Sequence, residues 1–431
     1  MEALALDRGY APAFSPSAHP EWLEELRVAA FRRFEELGFP TPRDEAWRYT
    51  GLQPITGTAW LRAAAPAPAA PAPAVAPSFA DAAIFVNGRL VRRPPVPPEG
   101  ARIETLREAL ARDPEAVRNR LAHLASFETS AFAALNTADL EEAAVVWIER
   151  GAVVAAPVVL SFVSEATGAP TVSHPRVLVL AGERSQASIV EAYAGSGRYF
   201  TNAVSEIDLS DGAILEHTKL QRENETACHV HAAAARLGRG SRLTSHNVAL
   251  GAALARTELS VVLGAEGAEC ELNGLFLGKG TQHIDNRTLI DHAEPHGTSR
   301  ELYKGIMDGS SRGVFHGTII VRPGAQKTDA VQTNKNLLLS KQALVDSTPA
   351  LEIFADDVKC RHGATTGQLD PAAVFYLRSR GIGEAEARAL LTYAFASDLA
   401  GRIGVAEVRA AVEAELGLRL SGAAEGAGGG A

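Results

Sequence analysis

A mainly β protein, with a parallel β-helix at its centre and α-helical regions at both ends, is the fold this sequence predicts. Three observations carry the prediction. From about Ala143 onward Val, Ile, Leu and Thr dominate, helix-period runs disappear, and Gly-containing turns punctuate short segments. Those turns recur: the leading leucines of Leu180-Ala-Gly-Glu-Arg, Leu209-Ser-Asp-Gly-Ala, Leu237-Gly-Arg-Gly-Ser and Leu263-Gly-Ala-Glu-Gly stand 29, 28 and 26 residues apart. After each turn, apolar and polar positions alternate, as in Ala213-Ile-Leu-Glu-His-Thr-Lys-Leu and Ser241-Arg-Leu-Thr-Ser-His-Asn-Val. Finally, helical periodicity is confined to the two ends. A repeat of strands and turns buries its inward face by stacking on its neighbours, either as coils of a β-helix or as propeller blades. Blades need units of about 40 residues, so the β-helix is preferred and assigned to residues 143–358.

The elements follow in order. Pro20 to Leu37 reads as an amphipathic helix with Trp22, Leu26, Ala30, Phe34 and Leu37 on one side, opened by Pro20 and closed by Gly38. It belongs to an N-terminal helical region, residues 1–62. Ala63 to Pro77 is almost entirely Ala and Pro and reads as a linker with nothing to pack. The remainder of the N-terminal domain, 78–142, carries a second helical stretch between Ile103 and Leu124. After the core, Asp370-Pro371 supplies an N-cap and a first-turn proline, and Gly381 stops that helix. Glu384 to Leu399 forms the next, with Ala387, Leu390, Leu391, Ala394 and Phe395 on its buried side, and Val405 to Leu416 a third. These make a C-terminal helical domain, 359–420, followed by a Gly/Ala tail, 421–431, expected to be disordered.

Composition narrows the function. At about 150 residues per domain, the 431 residues make two or three folded units, or one long body with helical ends. Hydrophobic residues make up 46% and charged residues 22%, as in a soluble globular chain. The net charge of −9 would on average repel a phosphate backbone, which argues against a nucleic-acid partner. The longest apolar region, Ala143 to Val163, is interrupted by Glu149-Arg150 and Pro157, so it cannot cross a bilayer as one helix. The three cysteines, Cys228, Cys270 and Cys360, fit no disulfide framework or metal knuckle. The N-terminus has no apolar stretch leading to a cleavage site. Together these place the chain in a reducing cytoplasm.

The densest chemical constellation is Asp356-Asp357-Val358-Lys359-Cys360-Arg361-His362-Gly363. On a strand, Cys360 and His362 would share a face and Arg361 would point away. Lys359, Arg361 and a cationic His362 would each favour the thiolate, the form that binds soft metals or attacks sulfur. The alternative is a buried cysteine acting as a small hydrophobe beside a histidine satisfied by backbone. An iron–sulfur cluster usually takes four protein ligands and this segment offers two, so any cluster here would borrow ligands across an interface. His229 and His231 also share a strand face, with Cys228 on the other, but lack a third ligand and read as surface or turn histidines. His283, Asp285, Asp291, His292 and His296 form a polar patch between Gln282 and His296, read as a solvated loop or interface edge, with acid/base or metal chemistry as the alternative. Gly278-Lys279-Gly280-Thr281 is only a fragment of a phosphate loop, so the chain is not expected to hydrolyse ATP.

Four longer stretches resemble the signatures of the SufB/SufD family of iron–sulfur cluster assembly scaffold proteins: Arg312-Gly-Val-Phe-His-Gly317, Gln332-Thr-Asn-Lys-Asn-Leu-Leu-Leu339, Pro349 to Gly367, and Phe375-Tyr-Leu-Arg-Ser-Arg-Gly381. Trp47-Arg-Tyr-Thr50, Phe85-Val-Asn-Gly88 and Leu135-Asn-Thr137 are similar to the SufD branch of that family rather than the longer SufB branch. The resemblance implies a non-catalytic scaffold whose β-helix is right-handed and lies between helical terminal domains. Its implied complex contains a SufB-type paralogue and two copies of a SufC-type ATPase, which would supply ATP hydrolysis. It further implies that His362, and Cys360 close by, lie at the interface with the SufB-type partner and help build the nascent cluster, as shared metal ligands. The C-terminal helices, through Phe375, Tyr376, Arg378 and Arg380, would receive the ATPase. No cofactor is expected to stay on the isolated chain, the iron–sulfur cluster being transient in the complex. Flavin has been associated with such complexes, but no dinucleotide fingerprint occurs here. The isolated chain is expected to form a homodimer.

Two other classes compete with this reading. A β-helix carbohydrate-active enzyme would need paired acids, for which Asp285 and Asp291 are the candidates; the missing export signal and the 6% aromatic content oppose it. A purely structural adaptor would never touch iron.

Overall fold

The computed structural model describes residues 19–64, 79 and 81–426, the side chains of 421–426 excepted. The Ala/Pro linker beyond Ala64 and the last residues of the expected tail, 427–431, lie outside these. From Arg176 onward the chain alternates between two parallel sheets. One sheet stacks Arg176–Ala181, Tyr199–Leu209, Cys228–Leu237, Leu254–Leu263, His283–His292, Arg312–Val321 and Leu344–Ile353. The other stacks Gln186–Ser196, Ile214–Gln221, Arg242–Ala249, Glu269–Gly278, Thr298–Met307, Asp329–Leu338 and Lys359–Gly367. The result is a parallel β-solenoid whose two sheets enclose one extended apolar cluster, with buried polar groups among it.

Register explains the repeat. Leu209 pairs with Leu237 and Leu237 with Leu263, so the three stack in one inward column. The column continues through His292 and Val321. Leu180 departs from it: its partner is Asp208, and Ala181 takes the inward place beside Leu209. With a side-chain period of two, that one-residue slip turns Leu180 outward, where it packs with Leu106, Leu121 and Leu178. His292 fills a leucine's place as a buried imidazole hydrogen-bonded through Nε2 to Ser299 Oγ at 2.9 Å. Burial lowers its pKa to about 4, against the pull of Asp291, and keeps it neutral.

Residues before 143 extend the solenoid and are only partly helical. The helix Glu21–Leu37 ends at Gly38, whose φ of 62° favours glycine. It buries Leu23, Arg27, Ala30 and Phe34: Ala30 and Phe34 as expected, while in the first two turns Leu23 and Arg27 lie deeper than the expected Trp22 and Leu26, which are partly buried beside them; Arg27 Nε donates to Ala138 O at 3.2 Å. The expected helix from Ile103 to Leu124 is a strand, Ala101–Thr105, followed by the short helices Leu106–Arg112 and Pro114–Arg118. Thr105 and Glu108 close a capping box, and Asp113-Pro114 ends one helix and starts the next. Ala101–Thr105 pairs with Ala144–Ile148 and Leu61–Arg62 with Thr171–Ser173, while Ala83–Val86 pairs with Val158–Glu165 and with Arg89–Arg92, so this region adds two strands to each sheet. Asn87 and Gly88, both at positive φ, turn Ala83–Val86 into Arg89–Arg92. The apolar region from Ala143 to Val163 thus contributes two strands, Ala144–Ile148 among them and the start of Val158–Glu165. Among the described residues no helix is long and apolar enough to cross a membrane.

At the other end, Lys359–Gly367 is the last strand of its sheet, so the solenoid runs to Gly367 rather than stopping at 358. The helices Pro371–Ser379, Glu384–Ala400 and Ala406–Gly426 follow. The last continues past Ser421, where a disordered tail was expected. Asp370 caps the first by accepting from Ala372 N at 2.9 Å. Glu384–Ala400 buries Ala387, Thr392, Ala396 and Leu399, while Leu390 and Ala394 face solvent against expectation. The difference arises because this helix folds back along the second sheet: Ala396 and Leu399 join Val408, Val412 and Leu416 over Val248, Leu275 and Ile306. Lys304 Nζ pins the contact, donating to Asp398 Oδ2 at 2.7 Å and to Phe395 O at 3.0 Å.

Candidate functional site

The solenoid's final coil is an open edge. Leu344–Ile353 and Lys359–Gly367 each pair on one side only. Half of their backbone N–H and C=O groups therefore have no ladder partner, a template for another strand. Leu344, Ile353 and Phe354 add exposed apolar surface along this edge.

Cys360 and His362 stand on its inner side. Their register partners are Ala330 and Gln332, both buried in the interior, and Asn336 Nδ2 donates to Thr366 Oγ1 at 3.4 Å farther along the same face. Cys360 packs partly against the interior core while His362 is exposed. The alternation expected of a strand therefore places the two side chains together and turns Arg361 outward. The expected electrostatics do not hold. Partial burial raises the Cys360 thiol pKa, and the carboxylate of Asp329 raises it further, with only the backbone of Ala330 pulling the other way. Lys359 and Arg361 are exposed, where water screens their charge.

Beneath the pair lies a polar layer of the interior. Gln332, Asn334 and Asn336 point inward from one strand. Gln332 Nε2 donates to Glu301 Oε2 at 2.7 Å, and Asn336 Nδ2 to Asn334 Oδ1 at 2.6 Å. Ser347, on the other edge strand, donates to Asn334 Oδ1 at 2.7 Å. The arrangement offers a thiol and an imidazole, half of a usual cluster ligand set. Among the described residues no group of three or more His, Cys, Asp or Glu side chains is placed to hold a metal ion.

The other histidines lie elsewhere than expected. His229 and His231 are fully buried inside the solenoid, not in a surface loop or turn, while Cys228 faces outward toward Trp47, Trp60 and Phe132. They belong to an interior network that sequence reading missed. His217 Nε2 is 3.0 Å from Glu191 Oε1, Tyr193 Oη donates to Glu191 Oε2 at 2.6 Å, and His229 Nδ1 is 2.8 Å from Glu223 Oε2. Burial alone would raise the Glu191 pKa, but the hydrogen bond and charge of His217, with His231 and Tyr193, hold it at about 2. The signal was present in His217-x-Lys219-x-Gln221 and His229-x-His231, polar groups at alternate positions of strands enclosed on both faces.

The patch from Gln282 to His296 is neither a loop nor an acid pair. Its central part is the strand His283–His292, with Asp285 and Asp291 on its outer face. Six residues of strand separate them by about 20 Å, whereas glycoside hydrolysis needs carboxyls about 5–9.5 Å apart. Each is already engaged: Asp285 with buried Arg256 and with Thr50 Oγ1 at 2.6 Å, Asp291 with Arg322 Nη2 at 2.7 Å. Thr50 Oγ1 also lies 3.0 Å from His283 Nε2, and His296 sits in a turn at a φ of 60°. Lys279-Gly280-Thr281 is a turn whose lysine pairs with Glu225 at 2.6 Å.

On the helix Pro371–Ser379, Phe375 is 71% and Tyr376 58% exposed. Arg380 lies 5.3 Å from the centre of the Tyr376 ring, and Arg378 Nη1 is 3.3 Å from Glu384. Phe375, Arg378, Arg388, Leu369 and Leu339 line a cleft between these helices and the solenoid.

Comparison with known proteins matches most of the chain to one family. Residues 162–395 match the family described as SUF system FeS cluster assembly, SufBD core domain, and residues 15–160 match the SufBD protein N-terminal region. The chain is 32% identical to the iron–sulfur cluster assembly protein SufD of Escherichia coli, over 90% of each chain. It is also 32% identical to an iron–sulfur cluster assembly SufBD family protein of Synechocystis, over 90% of this chain and 89% of the relative. The SufD of Bacillus subtilis is 27% identical over 64% of each.

Proposed function

The chain belongs to the SufBD family of the SUF iron–sulfur cluster assembly system, and from that premise we propose that it is a non-catalytic scaffold subunit whose open solenoid edge completes a cluster-building site with a SufB-type paralogue. The observation that carries this reading is the position of Cys360 and His362 on the inner face of a strand without an outer neighbour. A second solenoid docking on both edge strands would continue both sheets and enclose the pair. The nascent cluster is cargo here, and its remaining ligands come from the partner. Burial of the edge also removes water from the imidazole and thiol, which strengthens their bonding to the iron of the cargo. With no paralogue present, a second copy of this chain takes the same edge and gives a homodimer.

A SufC-type ATPase docks on the C-terminal helices through Phe375 and Tyr376, with Arg378 and Arg380 at the rim; aromatic and arginine side chains are the usual anchors of such interfaces. Because Glu384–Ala400 is fastened to the second sheet by Lys304 and Asp398, movement of the docked ATPases would reach the solenoid and its edge. The reading places the complex in the cytoplasm and requires no flavin on this chain.

The test is co-expression with SufB-type and SufC-type subunits, followed by anaerobic spectroscopy of the purified assembly. His362→Ala is expected to leave the complex intact and reduce cluster formation by at least tenfold, with a smaller loss for Cys360→Ser. Normal clusters in the histidine variant would refute the assignment.

A further inference from the structure

We propose that Glu301 and Gln332 are positioning residues that orient the His362 imidazole and select its tautomer. The proposal rests on the reading that His362 acts at the edge. Glu301, Gln332 and His362 occupy successive places in one inward column, paired Glu301 to Gln332 and Gln332 to His362 across the ladder. Successive members of such a column stand about 4.8 Å apart. Glu301 and Gln332 are buried in the interior, where polar groups are costly unless they bond to one another.

The amide is held from two sides. Gln332 Nε2 donates to Glu301 Oε2 at 2.7 Å, while Gln332 Oε1 has no hydrogen-bond partner among the described residues. Across the interior, Gly317 leaves the space the amide fills: a Cβ there would stand 2.2 Å from Gln332 Nε2. With its N–H₂ committed to Glu301, Gln332 keeps a carbonyl oxygen without a partner among the described residues, one register place from His362. In the proposed arrangement that carbonyl accepts a hydrogen from the nearer imidazole nitrogen of His362 and leaves the lone pair of the farther nitrogen free to bind metal.

Reversal of the same amide gives the opposite state. Burial raises the Glu301 pKa to about 7, with Thr288 and Gln332 pulling the other way. The titratable groups that feel its charge are Cys270 and Tyr303, both kept neutral by burial. A protonated Glu301 donates to the Gln332 carbonyl and turns the amide nitrogen toward His362, which favours a lone pair on the nearer nitrogen. Glu301 thus sets which imidazole nitrogen faces the partner.

The test uses the full chain with isotope-labelled histidine and reads the His362 tautomer by nitrogen NMR, the signal being assigned by its loss in His362→Asn. In the wild type one tautomer dominates above pH 7.5, and its share of the neutral imidazole, read apart from the imidazolium, falls toward pH 6. Gln332→Leu and Gly317→Ala are expected to return the ratio to that of a solvent-exposed imidazole, and Glu301→Gln to abolish the pH dependence. An unchanged His362 tautomer in folded Glu301→Gln overturns the proposal; this variant keeps the side-chain size and decides the matter if Gln332→Leu does not fold. Cluster assembly measured with His362→Ala fails or succeeds separately, so loss of the scaffold reading and loss of this one are distinguishable.

Discussion

Replacing Asp285 with asparagine removes one charge from a site with no access to water. Asp285 and Arg256 are both fully buried and ion-paired. Thr50 Oγ1 donates to Asp285 Oδ2 at 2.6 Å, and Arg287 Nε lies 3.6 Å from Oδ1. The Arg256 guanidinium also stacks 3.5 Å from the centre of the Trp47 ring, with Glu258 at its other edge. Asparagine keeps the shape but leaves the buried guanidinium with Glu258, a partly exposed carboxylate, as its remaining counter-charge, and turns an amide N–H₂ toward the arginine donors. Breaking a buried pair in this way costs about 3–5 kcal/mol, a large share of the roughly 5–15 kcal/mol that separates folded from unfolded domains. Because Thr50 and Trp47 hold the N-terminal segment against the sheet, the loss should appear first there. Urea unfolding followed by tryptophan fluorescence and by circular dichroism measures both the size and the place of the effect. The double variant Arg256→Met with Asp285→Leu should recover most of the stability, since an apolar pair of similar volume is often neutral or better. A single-variant loss below about 1 kcal/mol, or a double variant as damaged as the single one, would refute the account of a desolvated pair.

Three further outcomes are expected. Leu237→Ala opens a cavity in the middle of the inward column and should cost about 2–5 kcal/mol, read as a lowered urea midpoint. Gly274→Ala places a Cβ 2.1 Å from the Tyr303 ring, an overpacking worth about 1–3 kcal/mol that should lower the melting temperature. Glu301 makes stability depend on pH with a definite sign: its folded pKa of about 7 lies above the ordinary 4.5, so its contribution is full below about pH 4.5 and is lost as pH rises through 7. The difference amounts to roughly 3 kcal/mol, and it should vanish in Glu301→Gln when unfolding is compared at pH 5 and pH 8.

Much of the architecture was legible because its causes are local. The turn-and-alternation repeat implies stacked strands, since nothing else buries the inward side of such units. Asp370-Pro371 and Gly381 bound a helix through chemistry contained in a few residues. The side-by-side placement of Cys360 and His362 follows from the strand period alone. Where reading failed, the deciding interaction lay far along the chain. Trp22 and Leu23 are equally apolar neighbours, and only the surface against which the helix docks selects the second. His231 looks like a turn histidine until Glu191, from an earlier coil, comes within 4.0 Å of it in the interior, while His229 meets Glu223 of the turn just before its own strand.

The chain by itself determined the coil length, the phase of alternation within each strand, the caps, and the pairing of a thiol with an imidazole, because all of these arise between residues a few places apart. Only the tertiary structure decided which phase faces inward, that Leu180 yields its place to Ala181, that Lys359–Gly367 ends the stack without an outer neighbour, and that Gln332 lies under His362. Those outcomes depend on contacts between coils about 30 residues apart, where a shift of one residue reverses every side chain of a strand.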